Sequence, residues 1–139
     1  MSVPLYLEAM EESIFTKIIK GEIPSHKIYE DELTYAFLDI HPKTAGHTLV
    51  VPKNQVEFVW DLNDTDYQAV MATAKKVAHR IREVMPYTYV GELVAGEDVP
   101  HAHVHVYGFN TTDESRNVPD QTSEPDHPAL AELAKKLAF

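Results

Sequence analysis

This sequence predicts an α+β domain: a five-stranded antiparallel sheet, one long helix across it, and short helices at the N- and C-terminal ends. Three observations carry that expectation. The patterns run helix, three strands, helix, two strands, without the strict strand–helix alternation of a parallel sheet. Residues 63–85 form an unbroken helical stripe. Residues 100–107, Pro-His-Ala-His-Val-His-Val-Tyr, alternate with a period of two, the repeat of a strand with two unlike faces.

The elements follow in chain order. Residues 1–9 read as an unordered extension, and Met10 offers a second start. Ser13 is a candidate N-cap, and Ile14, Phe15, Ile18 and Ile19 share a helical face stopped by Gly21. His26–Glu30 and Thr34–Ile40 read as strands joined by the acidic turn at Asp31-Glu32, and Gly46–Val51 as a third, stopped by Pro52. Asp39 closes the second strand and His47 lies on the third. Asn63 caps the long helix, whose stripe is Tyr67, Val70, Met71, Ala74, Val77, Ala78, Ile81, Val84 and Met85; Pro86 ends it. Tyr87–Val94 is the fourth strand, residues 95–99 a loop, and the histidine row the fifth. Gly96 allows the loop backbone to approach a ligand and offer N–H groups to phosphate. Residues 111–126 hold five acids against one base and read as an extended linker. A short helix over residues 128–137 then carries Leu130, Leu133 and Leu137 on one face. The domain proper is thus residues 10–110, followed by an acidic linker and C-terminal helix over 111–139.

Composition excludes several classes. The formal net charge is −10, from 12 Lys+Arg against 22 Asp+Glu, which argues against nucleic acid and anionic membrane as partners. There is no cysteine, hence no disulfide and no thiolate metal site. No apolar run approaches 18 residues and no basic-then-apolar signal opens the chain, so a soluble cytoplasmic protein is expected.

Alternating strand residues lie about 6.6 Å apart, which puts His101 and His105 about 13 Å from each other. Histidine nitrogen binds metal at about 2.0–2.1 Å, so three such residues strain to share one ion. The spacing suits a row of imidazoles along an extended substrate. The segment His101-Ala102-His103-Val104-His105-Val106 resembles the signature of the histidine triad (HIT) family, His-φ-His-φ-His-φ-φ. Three earlier stretches resemble that family too: Ile14 to Ile19 with Gly21-Glu22-Ile23-Pro24; Ala36 to Pro42; and Gly46 to Lys53.

The resemblance implies a HIT-like fold, a homodimer that continues the sheet across its two-fold, and a purine nucleotide, AMP-like, as ligand. It implies hydrolysis or transfer at the α-phosphate of a nucleoside phosphoramidate or dinucleoside polyphosphate, with no cofactor. His103 would be the nucleophile, forming a nucleotidyl-histidine with its tautomer fixed by a backbone carbonyl. His101 and His105 would flank the phosphate, giving donors to its non-bridging oxygens or orientation and, as cations or donors, a local positive field, and His47 would support the row. Ile14, Phe15, Ile18, Phe37 and Ile40 would line the nucleoside pocket, Asp39 would accept from the ribose hydroxyls, and Gly96, Glu97 and Asp98 would border the phosphate. Three positions depart from the phosphoramidase branch: Val90 where it has asparagine, Glu97 where glutamine is frequent, and Asp98 where it has a serine that protonates the leaving group. Those departures support an alternative, a catalytically weak nucleotide-binding or interaction protein on the same fold. Some bacterial relatives carry a structural zinc on a Cys-x-x-Cys and a histidine after the Pro-Lys block; here Ser13, Thr16 and Asn54-Gln55 stand there, and no zinc is expected. The C-terminal helix is expected to dock near a dimer partner's active site and to be dispensable for the fold.

Overall fold

The computed structural model describes residues 11–139; the extension expected over residues 1–9 lies outside the described residues. Helix α1 (Ile14–Ile19) is followed by β1 (Lys27–Glu30), β2 (Thr34–Leu38) and β3 (Thr48–Pro52). After a 3₁₀ turn (Val59–Asp61) come α2 (Asp64–Val84), β4 (Tyr89–Leu93), β5 (Val104–Phe109), α3 (Thr112–Arg116) and α4 (His127–Leu137). All strand pairs are antiparallel, in the order β1-β2-β3-β5-β4. The expected fold class and strand count hold.

The local reasons are those of the sequence. The Asn63 side chain accepts from the Asp66 N–H at 2.8 Å, and Asp64 and Asp66 oppose the positive end of the α2 dipole. At the β1–β2 turn, Asp31 Oδ1 accepts from the backbone N–H groups of Leu33 and Thr34 and from the Thr34 hydroxyl.

Every residue of β2 and β3 is buried, so the sheet is covered on both faces. On one face Val70, Ala74, Val77 and Ile81 of α2 pack against Ile28, Ala36, Leu38, Val50, Ala102, Val104 and Val106. On the other, Phe15 and Ile18 of α1 pack against Tyr35, Phe37, Leu49 and Val51. Alternation along β2 and β3 decides which residue meets which helix. No helix of the described residues is long and apolar enough to cross a membrane.

Two expectations for the C-terminal region are corrected. The acidic stretch contains a helix, α3, because Thr111 and Glu114 form a reciprocal capping box. And α4 is not dispensable for the fold, because it packs on this chain itself. Leu130, Ala134 and Leu137 are buried in this chain's own main cluster, with Leu137 fully inaccessible. Arg80 of α2 donates to the carbonyls of Lys136, Leu137 and Ala138, the Phe139 N–H bonds to the Ile28 carbonyl, and its ring stacks on Tyr29. Removing residues 111–139 would open the core. Leu137→Ala alone is expected to cost about 2–5 kcal/mol, read as a lower urea midpoint; an unchanged midpoint would show that α4 is not part of the core.

Candidate active site: a row of imidazoles fixed from both ends

The strand expected to carry all three histidines begins only at Val104. The Ala102 N–H turns instead to the Val56 carbonyl at 2.7 Å, which takes residues 101–103 out of the ladder. The two-faced alternation survives: Ala102, Val104 and Val106 enter the α2 core, while the three imidazoles lie on the α1 side. His103 and His105 stand with ring centroids 5.1 Å apart, and Phe15 meets His103 edge-on at 5.3 Å.

Hydrogen bonds assign every ring nitrogen. The Pro52 carbonyl can only accept, so His101 donates Nε2–H to it, at 2.8 Å. His101 Nδ1 then accepts from the Ser13 hydroxyl at 2.7 Å. His103 donates Nδ1–H to the His101 carbonyl at 2.7 Å, which leaves its Nε2 with a free lone pair. His47 Nδ1 accepts the Lys43 backbone N–H at 2.9 Å. It therefore donates Nε2–H to His105 Nδ1, also at 2.9 Å, and His105 keeps its own hydrogen on Nε2. One end of the row is a lone pair and the next is an N–H donor.

Burial favours the neutral forms of His47, His101 and His105. Desolvation lowers His47 to about 3 and His105 to about 4, with the charges of neighbouring His105 or His103 and of Lys43 adding to it. Burial also lowers His101, against the opposing pull of the Pro52 carbonyl. The cationic alternative for the flanking imidazoles is corrected: burial favours their neutral forms, and His105 keeps the expected donor alternative through its Nε2–H. His101 is corrected further. It is fully buried with both nitrogens engaged by protein, so it does not flank a phosphate.

Asp39 sits beside His47, with Oδ2 3.7 Å from Nε2 while Oδ1 accepts from the His41 N–H. Desolvation raises its carboxyl above the ordinary range. Atoms of Asp39, His47 and His105 lie within 4.8 Å of one another, close enough to meet one ion. The shared His47–His105 hydrogen occupies the space between the two nitrogens, so a metal would first have to expel it.

The remaining expected residues divide. Phe15, Ile18 and Phe37 are packed together under α1. Ile14 and Ile40 are 53% and 41% exposed, and hold apolar surface open to solvent instead. Gly96 has φ +79°, and a Cβ there would press on the Phe58 ring at 3.0 Å. Glu97 and Asp98 are exposed on the same loop. Asp98 alone among the described non-glycine residues has positive φ, +73°. Its charge favours the protonated forms of both Asp39 and His105. Val90 packs on the α2 side of the sheet, away from the imidazoles. Lys43, Gln55 and Thr16 join the site without having been expected there. For Ser13 and Thr16 the signal was present as a Ser-x-x-Thr opening of α1; for Gln55 and Lys43 no local pattern announces the contact.

Comparison with known proteins agrees with this geometry. The HIT domain family model matches residues 20–111. An uncharacterized HIT-like protein of Borreliella burgdorferi is 40% identical over 104 residues, covering 70% of this chain and 75% of that one. The adenosine 5′-monophosphoramidase of Saccharomyces cerevisiae is 34% identical over 138 residues, 99% of this chain and 86% of its own. A solved HIT family member from Bacillus subtilis superimposes with a TM-score of 0.71 at 34% identity, covering 93% of this chain and 99% of that one. The family match over residues 20–111, with four histidines gathered on one face of this sheet, makes the chain a member of the histidine triad (HIT) family.

Proposed function

We propose that the chain hydrolyses a purine nucleotide conjugate at its α-phosphate, through a covalent nucleotidyl intermediate on His103. The observation that carries this reading is the 2.7 Å bond from His103 Nδ1–H to the His101 carbonyl. It fixes the tautomer whose Nε2 lone pair is nucleophilic. In the first step Nε2 forms a bond to phosphorus while the bond to the leaving group breaks, and the leaving amine or phosphate takes a proton from water. In the second step water attacks phosphorus, the N–P bond breaks, its electron pair returns to Nε2, and the mononucleotide leaves.

The neighbours have matching parts. His105 Nε2–H donates to a non-bridging oxygen as charge builds there, held in that tautomer by His47. Asp39 presents a carboxylate to the ribose hydroxyls, and Ile14 and Ile40 offer apolar surface for the base beside Phe15 and Phe37. The yeast relative named as a phosphoramidase supports adenosine 5′-phosphoramidate as the first substrate to test. Steady-state release of AMP from that compound and from diadenosine polyphosphates tests the reading. Turnover of either class supports it; tight AMP binding without turnover of any supports the binding-protein alternative that Glu97 and Asp98 suggest.

The same reading gives the outer edge of the sheet to a second copy of the chain. β4 is an edge strand, with Tyr89 55% and Leu93 40% exposed. Beside it runs a groove between Met71, Ala74 and Ala78 of α2 and Val90 of β4. A C₂ homodimer there would pair β4 with its own copy. Light scattering at micromolar concentration should give twice the 15.7 kDa chain mass; the monomer mass contradicts the assignment.

A further inference from the structure

We infer that Ser13, Thr16 and Gln55 are positioning residues: a hydrogen-bonded clamp on the His101 ring that aims the His101 carbonyl at His103 and thereby selects the reactive tautomer. The inference rests on the proposed role of His103 and deepens it.

The clamp joins three distant parts of the chain. Gln55 Oε1 accepts from the Ser13 backbone N–H at 2.8 Å and from the Thr16 hydroxyl at 2.6 Å. Gln55 Nε2 donates to the Glu11 carbonyl, which fixes which end of the amide faces the helix. The Ser13 hydroxyl accepts the Thr16 N–H as the α1 cap, so its own hydrogen is free to go to His101 Nδ1. Thr16 Oγ1 stands 3.3 Å from the same nitrogen. The shortest bonds agree in direction: the Thr16 hydrogen goes to Gln55 Oε1 at 2.6 Å, and the Ser13 hydrogen goes to His101 Nδ1 at 2.7 Å in preference to Thr16 Oγ1 at 3.3 Å.

The need for such a clamp follows from the sheet. His101 and His103 lie before β5 and outside its ladder, so the peptide plane between His101 and Ala102 has no strand partner and a single backbone anchor, the Ala102 N–H on the Val56 carbonyl at 2.7 Å. The His101 carbonyl carries the whole tautomer assignment of His103. Besides that anchor, the carbonyl's aim depends on the residue's other attachments: its N–H on the Val99 carbonyl, its Nε2–H on Pro52 of β3, and its Nδ1 on Ser13 of α1. Removing the Ser13 hydroxyl leaves a buried ring nitrogen without a donor, and such an atom is expensive to leave unpaired. The ring then gains by rotating or exchanging tautomer. Either change turns the carbonyl, and His103 loses the acceptor that keeps its hydrogen on Nδ1.

The test uses the full chain with Ser13→Ala, the milder Thr16→Val, and the conservative Thr16→Ser. ¹⁵N chemical shifts of the His103 ring report its tautomer directly, with no need for turnover. The wild type should show a single Nδ1–H form. Ser13→Ala should show a mixture, with kcat for adenosine 5′-phosphoramidate down about tenfold and KM within about twofold. Thr16→Val should move both readouts the same way by less, and Thr16→Ser should restore them. An unchanged His103 tautomer in folded Ser13→Ala and Thr16→Val overturns the clamp, whatever happens to kcat. A wild type with no turnover refutes the proposed reaction instead, and leaves the tautomer measurement to decide the clamp alone.

Discussion

His103→Ala is expected to lower turnover by about 10⁴-fold or more while AMP affinity falls by no more than about tenfold. The two effects separate because the side chain has two unequal roles. As nucleophile it forms the bond on which both chemical steps depend, and removal of such a group costs several orders of magnitude in kcat. As a contact it meets His105 and Phe15 edge-on, and the Phe15 ring is already packed against Phe37. The carboxylate of Asp39 and the surface at Ile14 and Ile40 remain. A tenfold loss is about 1.4 kcal/mol, in the range of one lost edge contact and a small cavity. His105→Asn should be milder in kcat, because it removes a donor and leaves the nucleophile. Single-turnover rates with isothermal titration of AMP check both halves. Retained turnover in His103→Ala, or a collapse of affinity with it, contradicts the assignment.

Mild acid is expected to destabilise the protein through its buried histidines. His47 has its folded pKa lowered to about 3, against an ordinary value of 6.5. A base held below its unfolded pKa binds fewer protons when folded. Its contribution is therefore complete above about pH 6.5 and is lost as pH falls from there toward 3. At pH 5 that is about 1.5 units below the unfolded pKa, or roughly 2 kcal/mol from His47. His105, lowered to about 4, adds a loss of the same sign, reduced by its partial exposure, and His101 is shifted in the same direction. Asp39, raised by burial, acts in the opposite sense. Urea midpoints measured from pH 7.5 to 5.0 should fall steadily, and His47→Asn should flatten the slope. A midpoint independent of pH over that window would show that the row is not buried neutral.

Much of this was legible in the sequence, and the exceptions have physical reasons. α2 was readable because its stripe meets one sheet face over 21 residues, and local period and tertiary contact agree. The two-faced character of residues 101–106 was readable for the same reason. The start of β5 was not: it depends on the Ala102 N–H preferring the Val56 carbonyl, a contact across 46 positions that no local pattern records. The choice between cationic and neutral donor forms of His101 and His105 was not legible, because burial, which the spacing does not report, favours the neutral one. α3 was passed over although Thr111 and Glu114 spelled its capping box, since the acid-rich composition around it read as extended chain. The docking of α4 was hidden because its leucines fit any apolar surface, and the one they meet is on α2, β1 and β2. The clamp was the least legible part: Ser13, Gln55 and His101 come from widely separated segments, and only the folded sheet brings them to one ring.

The central claim is a covalent bond between His103 Nε2 and the α-phosphorus of a nucleotide, and trapping it is the most direct test. Enzyme mixed with excess adenosine 5′-phosphoramidate is quenched within milliseconds in alkaline denaturant, because phosphorus–nitrogen bonds survive base better than acid. Peptide mass spectrometry then locates the adduct. An adenylyl group on His103, absent in His103→Ala and rising at the rate of single turnover, is the result expected. An adduct on His101, His105 or His47, or turnover with no adduct at any time, would contradict the account.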